Sequence, residues 1–248
     1  MRPPLSRFVS LAMLCVLLAP GAAPAQTNLL AQARQLVVVT APDWNATKGS
    51  LRRFERTDAN ATWKPVGDPE SVSLGRGGLG WGQAHQTPSD VAGPRKREGD
   101  GRAPAGVFPL GQAFAYDPDE LGPTRTPVLR LTPDILCVDD GASRSYNRII
   151  DQRVVGPKDW SSAETMRRDD ELYRFGLEVK HNDANVPGGG SCIFLHVRSQ
   201  PGYKTSGCTA MRPALIQELI RWLDPGMKPI LVQAPGPELD RIVSLPGE

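Results

Sequence analysis

The chain has 248 residues, and 29 Lys and Arg against 27 Asp and Glu leave a net charge of +2, which excludes the basic surface that nucleic-acid binding requires. With 40% hydrophobic and 23% charged residues, it is too apolar and too evenly charged for disorder. Its 25 glycines and 24 prolines, with only 6% aromatics, suit a loop-rich β protein.

Residues 1–25 read as an export signal. Arg2 and Arg7 precede the apolar run "FVSLAMLCVLLA" (8–19), and Ala23-Pro24-Ala25 offers a small-residue cleavage site. A lipid anchor on Cys15 is the weaker reading, because Leu14 is a poor small residue before a modified cysteine. The run is too short to span a bilayer comfortably and no other segment is longer, so no stable membrane insertion is expected. Losing Arg2 and Arg7 takes the basic residues from 29 to 27, level with the 27 acidic ones.

Strands are expected at "QLVVVT" (35–40) and "SLRRFERT" (50–57), then a hairpin in which "ATWKPV" (61–66) and "ESVSLG" (70–75) flank a "GDP" turn. Two loops follow, "GRGGLGWG" (75–82) and the long "GPRKREGDGRAPAG" (93–106). In the second, Lys96, Arg97, Glu98 and Asp100 read as a solvated charge run, with a substrate-facing loop as the alternative. Strands resume at "PVLRLT" (127–132) and "ILCVDD" (135–140), around which Tyr146 and Asn147 read as structural. "WSSAETMRR" (160–168) reads as a short helix, with Ser161 and Glu164 spaced as a capping box.

"LYRFGLEVKH" (172–181) alternates, placing Tyr173, Phe175, Leu177, Val179 and His181 on one inward face. In "CIFLHV" (192–197), Ile193, Leu195 and Val197 share one face while Cys192, Phe194 and His196 share the other. "RPALIQELIRWLDPG" (212–226) is a helix with Pro213 in its first turn, an apolar stripe from Leu215 to Leu223, and in Arg212 a poor N-cap. "PILVQA" (229–234) is a last strand, and 235–248, with three prolines, is expected to be loosely held. The sum is one mainly β domain over 33–234, a sandwich or barrel with two or more short helices.

Cys137, Cys192 and Cys208 are three thiols in a chain bound for an oxidising compartment, so one stays free or pairs elsewhere. His196 at a strand end and Cys208 at a strand-to-helix junction fit a base and a nucleophile, with the N–H groups around Gly207 and Cys208 as an oxyanion hole. A core histidine and a small buried thiol fit the same spacing. His85, His181, His196 and a cysteine match no compact zinc spacing, so no metal is expected.

"GSCIFLHV" followed by "TSGCTAM" and a helix ending "RWLDP" resembles the L,D-transpeptidase (YkuD-type) family of peptidoglycan enzymes, in a branch of stand-alone members without LysM modules. "GRGGLGWG", "KREGDGRAPAGVFPLG", "CVDD", "SYNRII" and "MRRDDELYRFGLEVKHN" stand in the same order. The resemblance implies a mainly β catalytic domain that needs no cofactor. Cys208 would form a thioester with a stem peptide, releasing a D-amino acid, and pass the acyl group to an amine of a second stem. His196 would serve as general base and acid, and Gly207 as the backbone of the oxyanion hole. The common family pattern has histidine where Ser206 stands and arginine where Ala210 stands, so the substrate carboxylate lacks its usual partner; Arg198 or Arg212 is an alternative. Ser206, Arg198, His181 and Asn182 are the further substrate-binding candidates. Cys137 and Cys192 are assigned to a disulfide that leaves Cys208 free, two buried thiols being the rival. The implied place of action is the periplasm or cell wall. A hydrolytic carboxypeptidase or amidase using the same residues, or a non-catalytic wall-binding protein, stands beside the transferase.

Overall fold

The computed structural model describes residues 28–83 and 92–246; the export signal, Cys15 and His85 fall outside them. A one-turn helix α1 (Leu29–Gln32) leads into three long strands, β1 (Gln35–Ala41), β2 (Lys48–Glu55) and β3 (Lys64–Ser73). The short β4 (Leu79–Trp81) precedes the longest strand, β5 (Ala103–Ala115), and the short β6 (Val128–Arg130). Next come β7 (Ile135–Val138), β8 (Ile149–Asp151) and β9 (Ala163–Thr165), then β10 (Phe175–Val179), β11 (Phe194–Val197) and β12 (Thr209–Met211). The chain ends with α2 (Pro213–Trp222), β13 (Ile230–Pro235) and α3 (Gly236–Ile242).

Eight of these strands close a ring in the order β10-β11-β12-β3-β2-β1-β13-β5, because β5 pairs again with β10. Closure removes the free sheet edges that would otherwise template aggregation. The β1–β13 and β11–β12 pairs are parallel, and the other pairs of the ring are antiparallel. A separate three-stranded sheet, β8-β7-β9, forms from the segment between β6 and β10.

The side-chain alternation of the strands divides the core. Val37, Leu51, Val72, Phe108, Leu177, Leu195, Met211 and Leu231 represent all eight ring strands in one buried cluster, which Leu215, Ile216, Leu219 and Ile220 of α2 complete. The opposite face of β1, with Leu36 and Val38, meets Phe54, Trp63, Val107 and Val232 in a second cluster. Both faces of β1 are therefore covered, which is why its sequence is a continuous apolar run. A third cluster covers the outer face of β11: Phe194, Phe114 and Tyr173 pack against Ile135, Cys137 and Met166 from the small sheet and its flanks. The mainly β, barrel-like class read from the sequence is the architecture observed.

Three expectations are corrected. No hairpin forms at residues 61–75; β3 runs through "GDP" as one strand. Gly67, at φ +69°, absorbs the kink as the β2–β3 register shifts between Leu51 and Arg53, so pairing along the eight-residue β2 outweighs the local turn chemistry. Residues 160–168 are not helical. Glu164 pairs with Cys137 in the β7–β9 ladder, and Ser161 gives its N–H and hydroxyl to Asp140 rather than capping anything. The tail is not loose: Leu239 of α3 and the following Val243 are buried in the second cluster. No described helix is long and apolar enough to cross a membrane.

Candidate active site

The outer face of β11 and the loop that carries Cys208 meet under the small sheet. Parallel pairing sets Leu195 beside Thr209 and His196 beside Ala210. One step back along each strand, Cys208 falls beside Phe194, on the same outward face as His196. Gly176, opposite His196 on β10, has no side chain because Phe114 lies across it: a Cβ there would come within 2.2 Å of the ring. Phe114, Phe194 and Tyr173 pack edge to face, and Tyr173 does the same to His196 at 5.3 Å.

The loop before Cys208 is fixed at both ends. Thr205 gives its N–H to Leu74, accepts from Arg76 N–H, and its hydroxyl donates to the Cys208 carbonyl at 2.6 Å. Gly207 N–H donates to the same hydroxyl at 3.2 Å. Gly207 adopts φ +154°, and a Cβ there would sit 3.2 Å from the Arg102 carbonyl, so glycine fits both the backbone and the space.

Cys208 is the free cysteine among the described residues, and it is 8% exposed. Its Sγ accepts from Phe194 N–H at 3.3 Å and donates to the Cys192 carbonyl at 3.5 Å. Cys192 is itself pinned: a disulfide joins it to Cys137, its N–H donates to Asn147 Oδ1, and its φ is +55°. The disulfide thus ties the small sheet to the carbonyl that accepts from the Cys208 thiol.

Burial pushes the Cys208 thiol up to about 12, with the charge of Glu164 adding to it, against the Phe194 N–H and the Lys96 ammonium. Burial likewise lowers His196 to about 4, against its bond to the Val197 carbonyl. That bond, Nδ1 to Val197 O at 2.7 Å, requires the hydrogen on Nδ1, because a carbonyl only accepts. The neutral ring then presents Nε2 as a lone pair. The resting pair is a neutral thiol and a neutral imidazole, with no hydrogen bond between them.

A cavity of about 270 Å³ is lined by Cys208, His196, Gly207, Ser206, Tyr203 and Tyr173, and by the charged Arg76, Lys96, Glu98, Asp139, Glu164 and Arg168. Five of the sequence-predicted residues therefore meet here, since Cys192 lines the cavity beside Cys208, His196, Gly207 and Ser206. Arg198, His181 and Asn182 lie outside it. Arg198 donates to Ser71, and Asn182 organises the 182–190 turn through Val186 and Gly190. His181 is buried against Phe108 and accepts from Gln83 N–H at Nε2. It lines a second cavity of about 530 Å³ that holds neither Cys208 nor His196 and shares Cys192 and Ile193 with the first. Arg212 is committed to Glu70.

The charge run at 96–100 is not simply solvated. Lys96 is buried, bonded to Asp100 and to the Arg97 carbonyl, and Glu98 accepts from Tyr146 and Ser191. Sequence reasoning missed Arg76, Glu164 and Tyr173 as site residues. Tyr173 lies in the turn before β10, so the alternation that put it with Phe175 does not reach it. Among the described residues, no group of three or more His, Cys, Asp or Glu is placed to hold a metal ion.

A family model described as the L,D-transpeptidase catalytic domain (YkuD) matches residues 44–232. No curated protein and no solved structure matches the chain.

Proposed function

The chain belongs to the L,D-transpeptidase catalytic-domain family, whose activity is on peptidoglycan, and from this we propose that it transfers stem-peptide acyl groups through Cys208. The observation that carries the reading is the single cavity holding Cys208, His196 and Gly207. In the first half-reaction His196 Nε2 takes the thiol proton as Sγ attacks the donor carbonyl. The carbon–nitrogen bond then breaks, and the imidazole returns the proton to the departing D-amino acid. The Gly207 N–H is held by the Thr205 hydroxyl, so the Cys208 N–H is the backbone donor we assign to the developing oxyanion. An amine of a second stem then displaces the thioester. The Cys137–Cys192 disulfide supports action in an oxidising compartment outside the cytoplasm, as export would require.

Arg76 is the group best placed to take the donor's terminal carboxylate. It lines the cavity, its guanidinium makes one long hydrogen bond to the Gly99 carbonyl at 3.4 Å, and it has no ion pair among the described residues. Arg168, the other arginine there, is held by Asp170. Arg76→Ala is expected to raise KM for a carboxylate-ended tetrapeptide stem about 10-fold or more. The C-terminal amide of the same stem should lose much less. Equal losses on both would remove Arg76 from this role.

Mass spectrometry of purified muropeptides after incubation tests the reaction itself. Release of a D-amino acid with formation of cross-linked dimers is the expected result. Shortened monomers alone would make the protein a carboxypeptidase. Wall binding without any product would make it a binding module.

A further inference from the structure

The second half-reaction has a proton balance that Cys208 and His196 do not close. A lysine-like side-chain amine, with a pKa of about 10.4, enters at neutral pH as an ammonium and leaves as an amide N–H. It therefore gives up two protons. The imidazole carries one of them from the attacking nitrogen to the departing sulfur. The other has to leave before attack, because an ammonium has no lone pair.

We propose that Glu164 is the base that takes this first proton, its carboxylate Oε1 receiving it from the acceptor ammonium in the cavity beside Cys208. The inference rests on the acyl-transfer reading above. Glu164 reaches the cavity from β9, and its Oε2 accepts from Tyr173 OH at 2.6 Å. Tyr173 in turn packs edge-on against the His196 ring, so one side chain positions both bases. Oε1 takes no hydrogen bond from the described residues, and Glu164 makes no ion pair with them. Of the other carboxylates of the cavity, Glu98 is engaged by Tyr146, Ser191 and Gly99 N–H, and Asp139, which accepts from the Ser162 hydroxyl on one oxygen, lacks the Tyr173 link to His196. Burial raises the Glu164 carboxyl above its ordinary value, which makes it a better proton acceptor than an exposed carboxylate.

The ammonium gives one proton to Glu164, and the freed amine attacks the thioester carbonyl. The carbon–nitrogen bond forms and the carbon–sulfur bond breaks. The second nitrogen proton passes through His196 Nε2 to the Cys208 sulfur, and Glu164 later releases its own proton to solvent.

The same carboxylate disfavours the Cys208 thiolate, so its removal acts oppositely on the two half-reactions. Glu164→Gln keeps an oxygen for Tyr173 OH. It is expected to form the acyl-enzyme, read as a mass increase with a donor stem, at the wild-type rate or faster. Transfer to a lysine-like amine should fall about 10²-fold at pH 7. The deficit should close as pH approaches the amine's own pKa, and it should be absent with hydroxylamine, which is already uncharged at neutral pH. An equal fall with hydroxylamine, an equal fall in acylation, or undiminished transfer to the amine would each overturn the assignment. Absence of any acyl-enzyme in the wild-type protein would remove the acyl-transfer reading first, and this one with it.

Discussion

Replacing either Cys208 or His196 by alanine is expected to lower acyl transfer at least about 10³-fold, and replacing both is expected to cost no more than the worse single change. The prediction is not trivial, since the two side chains share no hydrogen bond at rest. Sγ is occupied by Phe194 N–H and the Cys192 carbonyl, and the imidazole by Val197. What joins them is the β11–β12 register, which sets Cys208 two residues from the position opposite His196 on one face. That separation is about 6.6 Å along the strand at Cα, and side chains from both positions line one cavity. A proton passed between them makes each useless without the other, so the losses cannot multiply. Losses that multiply in the double variant would mean that the two act separately. Cys208→Ala also leaves Phe194 N–H without its sulfur partner, a cost of about 1–3 kcal/mol. Thermal unfolding of the variant separates that cost from the loss of chemistry.

Much of the barrel was legible because its signals are local. The continuous apolar run of β1, the alternation in β11 and the stripe of α2 each describe one face packed on one core. Cys208, His196, Gly207 and Ser206 lie within one strand–loop–strand segment, but their spacing fits a buried histidine and thiol equally well, and it is the family resemblance that singles them out. The opposite wall was not legible. Glu164 sits in a segment whose local pattern favours a helix, and only the ladder to β7 makes it a strand. Lys96 and Glu98 look like solvent-facing charges until the loop folds Asp100 back onto Lys96, and Tyr146 and Ser191, from elsewhere in the fold, close on Glu98. Arg76 carried no signal beyond its glycine-rich surroundings. The residues missed are those fixed by loop conformation or by partners on another sheet or loop, where periodicity has nothing to say.

Acid is expected to unfold this protein before it titrates His196. Burial holds His196 at about 4 and His181 at about 3 in the folded chain, against about 6.5 for each when exposed. Between pH 6.5 and 4 the unfolded chain therefore binds up to two protons that the native chain refuses. Stability rises with pH wherever the unfolded state binds more protons, so it falls as pH drops through this window. The slope is up to about 1.4 kcal/mol per pH unit for each imidazole. The geometry agrees. His181 Nε2 accepts from Gln83 N–H, so protonation would break that bond, and its buried Nδ1 has no partner among the described residues. Glu164 works against this trend, because its raised carboxyl takes up a proton in the folded state first, cancelling part of one imidazole's share. Denaturant titrations at pH 7 and pH 5 check the net effect, and His181→Gln is expected to flatten the pH dependence by about one proton. Because His196 stays neutral in the native state down to about 4, brief assays at pH 5 should retain activity in the fraction still folded. Activity that fell near pH 6.5 while the fold stayed intact would show that the imidazole is far more accessible to protons than its burial implies.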